Sequence, residues 1–131
     1  MKNLLFSLLF VLLAPFTASA VTHDGFVIYV DNQTTWGENL HLYMWGDKND
    51  LNGGWPGMAI SGHETIDGVD YAYFEMGADA NGLSENLIFN NNGAPQLSDY
   101  KVKFDKDYYF RVTDTGVTPL TGPQTAGDIA L

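Results

Sequence analysis

The sequence predicts an all-β fold, a two-sheet antiparallel β-sandwich that is immunoglobulin-like in outline. Three observations carry this. Short alternating or β-rich stretches are separated by Gly, Asn, Asp and Pro, and no apolar pattern of helical period persists between them. Turn signals recur between the stretches, at Asn52-Gly53-Gly54, Pro56-Gly57, Asp67-Gly68, Asn81-Gly82 and Asn92-Gly93, where residues tolerating positive φ are needed. Cysteine is absent, so an ordinary apolar core has to hold the domain together.

Taken in order, residues 1–20 are set aside from the fold. Lys2, the uncharged apolar run from Leu4 to Pro15 and the small residues Ala18-Ser19-Ala20 make a secretory signal peptide cleaved after Ala20. The run is shorter than the ~20 apolar residues of a membrane-crossing helix, and without Cys no lipid can be attached through a thioether. The mature protein is therefore expected to be secreted or periplasmic, with no membrane span. Strands are predicted at Phe26–Asn32, Leu40–Gly46, Asp70–Met76, Asn86–Asn91, Tyr100–Phe104 and Tyr108–Thr113, with Val117–Leu120 as a short edge strand. One domain is expected over 21–122, with a flexible tail over 123–131 and no internal repeat. A monomer is expected, and if the domain serves an enzyme it does so as a separate chain.

Six basic residues stand against sixteen acidic ones, a formal charge of −10, and loss of Lys2 makes the mature chain one unit more negative. Such a field repels phosphate, which argues against nucleic acid and anionic membrane surfaces and leaves neutral polymers unaffected. It also keeps an exported protein soluble, the plainer reading of the same charge. Catalysis finds no support. A glycosidase needs two carboxylates at a fixed separation around the scissile bond, and a small domain with an open surface does not enclose one. No Gly-x-Ser-x-Gly occurs, and His23, His41 and His63 lack metal-ligand spacing. No enzyme activity and no cofactor are expected. The stretch Asp47 to Gly54 is rich in oxygen donors, but Leu51 holds the fifth position and no Glu the twelfth, so it reads as a solvated turn; a structural calcium bound in another register stays open.

The second predicted strand is the most informative. Leu40, Leu42 and Met44 alternate with His41, Tyr43 and Trp45, so one face is aliphatic and the other carries three rings. With the aliphatic face in the core, the rings point outward as a row; the alternative is a central strand buried on both sides. An exposed row of rings suits a ligand with an apolar flat face, such as a pyranose, whose C–H groups lie on the ring while its hydroxyls bond to polar neighbours. A structural or adhesive sandwich that binds a protein partner is the second reading. Loops rich in Asn, Gln, Thr and Gly and poor in Arg favour the sugar. Trp36, ahead of this strand, is expected to pack against the core, and Tyr71 and Tyr73 alternate with Ala72 and Phe74, so that one pair faces outward.

Tyr43-x-Trp45, a polar Gly-rich loop, Trp55-Pro56-Gly57 followed by Met58, then Phe89-Asn90-Asn91-Asn92-Gly93 and Gln96 form a series whose order and spacing resembles the family-26 carbohydrate-binding modules, starch-binding β-sandwiches. The likeness runs from about Phe26 to Phe110. The Phe-Asn-Asp-Gly segment common in such modules is one residue longer here, and the Gln that follows is displaced to Gln96. The resemblance implies non-catalytic binding of an α-1,4-glucan, whether starch, glycogen or a maltooligosaccharide, with a separate amylase as the enzyme it would serve. It implies that Tyr43, Trp45 and Trp55 cradle the chain, with His41, Asn91 and Gln96 as polar contacts.

Overall fold

The described residues form nine strands in two sheets, and β-rich stretches such as Leu40–Gly46 bury their aliphatic side between them. The computed structural model describes residues 21–123. The signal peptide read over 1–20, and all of the tail read over 123–131 except Pro123, lie outside the described residues. The strands are β1 (Val27–Asn32), β2 (Leu40–Gly46), β3 (Met58–Ala59), β4 (Gly62–Ile66), β5 (Val69–Glu75), β6 (Ser84–Asn91), β7 (Tyr100–Lys103), β8 (Tyr108–Thr113) and β9 (Gly116–Leu120). One sheet has the order β4-β5-β1-β8-β9 and the other β3-β2-β6-β7.

This is the two-sheet sandwich the sequence predicts. Neighbours run antiparallel except β1 and β8, which pair in parallel from Ile28↔Tyr108 to Asn32↔Val112. Two strands were not foreseen. β3 is two residues long, and β4 (Gly-His-Glu-Thr-Ile) is polar enough to read as loop. β4 nevertheless pairs with β5 through Asp67-Gly68, both at positive φ, the backbone that a tight two-residue hairpin requires.

The core lies between the sheets. Ile28 and Val30 from β1, Leu40, Leu42 and Met44 from β2, Phe74 from β5, Leu87 and Phe89 from β6, and Phe110 and Val112 from β8 form one buried cluster. Phe89 meets Phe74 and Phe110 edge-on, at 6.2 and 5.9 Å between centroids. Trp36 joins this cluster from the connection before β2, as its sequence position implies.

The outer face of the five-stranded sheet carries a second, smaller cluster. Tyr29 stacks on Tyr109 at 4.8 Å, Tyr71 lies buried beside them, and Tyr73 packs against the group. So Tyr71 and Tyr73 are the outward pair of β5, while Ala72 and Phe74 turn inward. His23 closes this face from the segment before β1. Its Nε2 is 2.9 Å from Glu64 Oε1 and its Nδ1 is 2.9 Å from Glu75 Oε2, with the Tyr73 ring edge-on at 4.6 Å. A carboxylate on each ring nitrogen requires both to donate, which is the imidazolium form. Burial works to lower the His23 pKa, but hydrogen bonds to Glu75 and Glu64 and the charges of both outweigh it, so the group sits above its ordinary value.

Candidate functional site

The ring row of β2 lies on the outer face of the four-stranded sheet. Leu40, Leu42 and Met44 are wholly buried, which turns His41, Tyr43 and Trp45 outward, the first two half-buried and the third exposed. Residues directly opposite each other across an antiparallel pair share a face, so the register adds Asn90, Ile88 and Asn86 from β6, with Lys101 from β7 beyond Asn86.

Trp55 reaches the same face from the β2–β3 loop. Its ring meets Tyr43 edge-on, 5.3 Å between centroids and inclined by 66°. The tripeptide Trp55-Pro56-Gly57 has a physical reason for each part. Gly57 has φ +94°, and a Cβ there would stand 2.1 Å from the Leu42 carbonyl oxygen, so only glycine lets the loop return this close to β2. The Pro56 carbonyl accepts a hydrogen bond from Asn90 Nδ2 at 3.0 Å, and Asn90 Oδ1 accepts the Gly93 N–H at 2.7 Å. Buried Asn90 thus ties the Trp-Pro-Gly loop to the Asn-rich turn after β6. Trp45 and Trp55, at 41% and 44% exposure, are large hydrophobic side chains left open to solvent on this face.

The polar rims of two of these rings are already engaged. The Tyr43 hydroxyl donates to Asp50 Oδ1, and that hydrogen bond, with a smaller contribution from burial, holds the phenol above its ordinary pKa. Trp45 Nε1 donates to Asp99 Oδ2 at 2.8 Å. Each of these two rings is therefore held at its polar rim by a carboxylate. Asn86 Nδ2 donates to the Trp45 carbonyl at 3.1 Å. Of the polar residues read from the sequence, His41 lies in the row and its Nδ1 donates to the Asn39 carbonyl at 2.7 Å, which orients the ring. Gln96 is exposed and bridges Asn90 in an isolated antiparallel contact, on the ring side. Asn91 is not brought to this face: it pairs with Leu40, whose side chain is in the core, so the pleat turns Asn91 toward the other side.

Asp50, Asp99 and Asn86 escaped the sequence reading. Asp50 and Asp99 lie 7 and 54 residues from the rings they hold, and no local pattern announces either contact. Much of the oxygen-rich stretch from Asp47 to Gly54 is engaged within the protein. Leu51 is buried in the core cluster, Asp47 Oδ2 accepts the Ser84 N–H at 2.8 Å, and Asn52 Nδ2 donates to the Met76 carbonyl at 3.1 Å. Among the described residues, no group of three or more His, Asp or Glu side chains is placed to hold a metal ion.

The family model described as Starch-binding module 26 (CBM26) matches residues 28–102. Among solved structures, the chain is similar to "Crystal structure of CBMbc (family CBM26) from Eubacterium rectale Amy13K in Complex with Maltoheptaose", with a TM-score of 0.53 and 22% identity. That match covers 74% of this chain and 45% of the other, so this chain spans less than half of that protein's length, and at such identity the likeness concerns the fold. No curated protein matches. A family model that matches more than half of the sequence, on a sandwich of the same fold, places the chain in CBM26, the starch-binding module 26 family of carbohydrate-binding modules.

Proposed function

We propose that the domain binds α-1,4-glucan without catalysis, on the outer face of its β3-β2-β6-β7 sheet. Tyr43, Trp45 and Trp55 form the stacking floor, and His41 and Gln96 lie at its edge as hydrogen-bonding neighbours. The observation that carries this reading is the corner between Tyr43 and Trp55, whose planes incline by 66°. A ligand that lies on both rings has to bend. An α-1,4-linked chain curves, whereas a β-1,4-linked chain is a flat ribbon, so the corner favours the former. The free energy comes from covering ring faces and sugar C–H groups together, at ~25 cal/mol per Å2 of apolar surface removed from water. Rings locked by Asp50 and Asp99 lose little further freedom on binding, which reduces the ordering cost. The rings stand on an open surface and do not surround a bond, in keeping with a binding role. The leader-like residues 1–20 fit export to the periplasm or beyond, where such polymers are met.

The test is isothermal titration with maltoheptaose and with cellohexaose. Binding of the first in the micromolar to millimolar range, with no heat from the second, is expected. Equal heats would remove the α-glucan selectivity, and no heat from either would remove the platform.

A further inference from the structure

β6 carries an acid where its pattern calls for an apolar residue. Glu85, Leu87 and Phe89 share the core-facing side of the strand, and Glu85 is as fully buried as the other two. Its Oε2 accepts the Lys48 N–H at 2.8 Å, while its Oε1 has no hydrogen-bond partner among the described residues. A half-satisfied buried carboxyl is costly, and an aliphatic side chain at this position would serve stability better. What the acid holds is the first turn of the β2–β3 loop. Two further bonds meet there: the Asp47 N–H donates to the Ser84 carbonyl at 3.0 Å, and Asp47 Oδ2 accepts the Ser84 N–H. Gly46 makes room for the crossing, since a Cβ on it would stand 2.6 Å from the Ser84 oxygen and 3.0 Å from Glu85 Oε2.

The loop that starts at this crossing connects to every ring of the platform. Trp45 immediately precedes Gly46. Two residues beyond Lys48, Asp50 holds the Tyr43 hydroxyl, and the same loop then inserts Leu51 into the core and carries Trp55 before it returns to β3. We infer that Glu85 is a positioning residue for the ligand platform: through the Lys48 amide it fixes the start of the loop that sets Asp50 and Trp55 against Tyr43. This rests on the α-glucan reading above, and it goes further in assigning binding to a side chain that no ligand on this face can touch.

The experiment compares wild type, Glu85→Leu and Glu85→Gln by thermal melt, by maltoheptaose titration and by amide exchange and 15N relaxation over residues 47–55. Glu85→Leu is expected to melt at or above the wild-type temperature, to lose protection at the Lys48 amide, to loosen the loop and to bind about tenfold more weakly. Glu85→Gln keeps a carbonyl oxygen for the Lys48 N–H and is expected to hold both loop order and affinity within about twofold of wild type. A purely structural role would instead lower the melting temperature and leave the affinity of folded protein unchanged, which overturns the inference. So does an ordered loop in Glu85→Leu. Should Glu85→Leu fail to fold, Glu85→Met, which also removes the acceptor but keeps the length of the side chain, takes its place: a loosened loop with unaltered affinity refutes the coupling, and a loosened loop with weakened binding upholds it. Wild type that ignores maltoheptaose overturns the platform and this inference with it; wild-type binding matched by Glu85→Leu overturns this inference alone.

Discussion

Replacing Trp45 by Ala separates a ring that binds from a ring that packs, provided it is compared with Trp36→Ala. At 41% exposure, Trp45 has about three-fifths of its surface covered. Of the ~150–250 Å2 that an aromatic side chain offers, this is roughly 90–150 Å2, worth ~2–4 kcal/mol at 25 cal/mol per Å2. That is an upper bound, because the Cβ remains in the alanine variant and the unfolded chain already hides part of the ring, so ~1–2 kcal/mol of stability is the expected loss. Trp36 is 9% exposed and belongs to the core, so its truncation leaves a cavity and should cost ~3–5 kcal/mol. At ~4–8 °C per kcal/mol for a domain of this size, the two melting temperatures are well separated. Binding should invert the order. With two or three rings in the floor, losing Trp45 is expected to weaken starch binding on the order of ten- to a hundredfold, while folded Trp36→Ala keeps wild-type affinity. Melts and retardation in a starch gel, at a temperature where both variants are folded, give the two readings. The reasoning is refuted if Trp45→Ala melts as low as Trp36→Ala and is retarded as strongly as wild type.

Three further outcomes are expected. Because the folded pKa of His23 is raised, its clasp on Glu64 and Glu75 contributes fully below the unfolded value near 6.5 and is lost as pH rises through the folded value. The stability difference between wild type and His23→Gln should therefore be ~1.5 kcal/mol at pH 6 and shrink by pH 9, and a difference independent of pH would contradict the imidazolium assignment. Asp99→Ala frees the Trp45 indole and should weaken maltoheptaose binding several-fold while changing the melt little, as expected of an exposed hydrogen bond; unchanged affinity would mean the ring needs no anchor. Gly57→Ala forces a Cβ into the Leu42 carbonyl and should cost ~3 kcal/mol or more together with most of the binding, so a wild-type melt would show that the loop has another path.

Sequence pattern made the two faces of β2 legible, because strict alternation separates the aliphatic residues from the rings; that the ring face is not also buried is seen only in the structure. It failed at β4, where Gly62 to Ile66 is polar on both sides and is a strand through its pairing with β5 rather than through its own composition. Phe89-Asn90-Asn91-Asn92-Gly93 shows where local reading stops. Asn91 is the residue the motif suggests for ligand contact, yet the register gives the ring side to Asn90, whose amide is consumed by Pro56 and Gly93. The partners of the rings were out of reach for another reason: Asp50 and Asp99 come from loops whose paths depend on tertiary packing. Glu85 did leave a trace, an acid in phase with Leu87 and Phe89, but reading it requires the strand to begin at Ser84.

The parallel pairing of β1 with β8 bears on how the chain reaches this structure. β1 takes one neighbour from β5 and the other from a strand some 80 residues away, the separation of the Asp31–Arg111 contact between them. Until residues 108–112 exist, one edge of β1 is an unpaired template of N–H and C=O groups beside apolar side chains. The entropy of closing so long a loop has to be met before the contacts it enables are gained, which puts folding among the slow, non-local β domains, roughly milliseconds to seconds. Chains cut short before Tyr108 are thus expected to aggregate through β1, because the core around Ile28 and Val30 then lacks Phe110 and Val112; a monodisperse, folded fragment in size-exclusion chromatography would refute this.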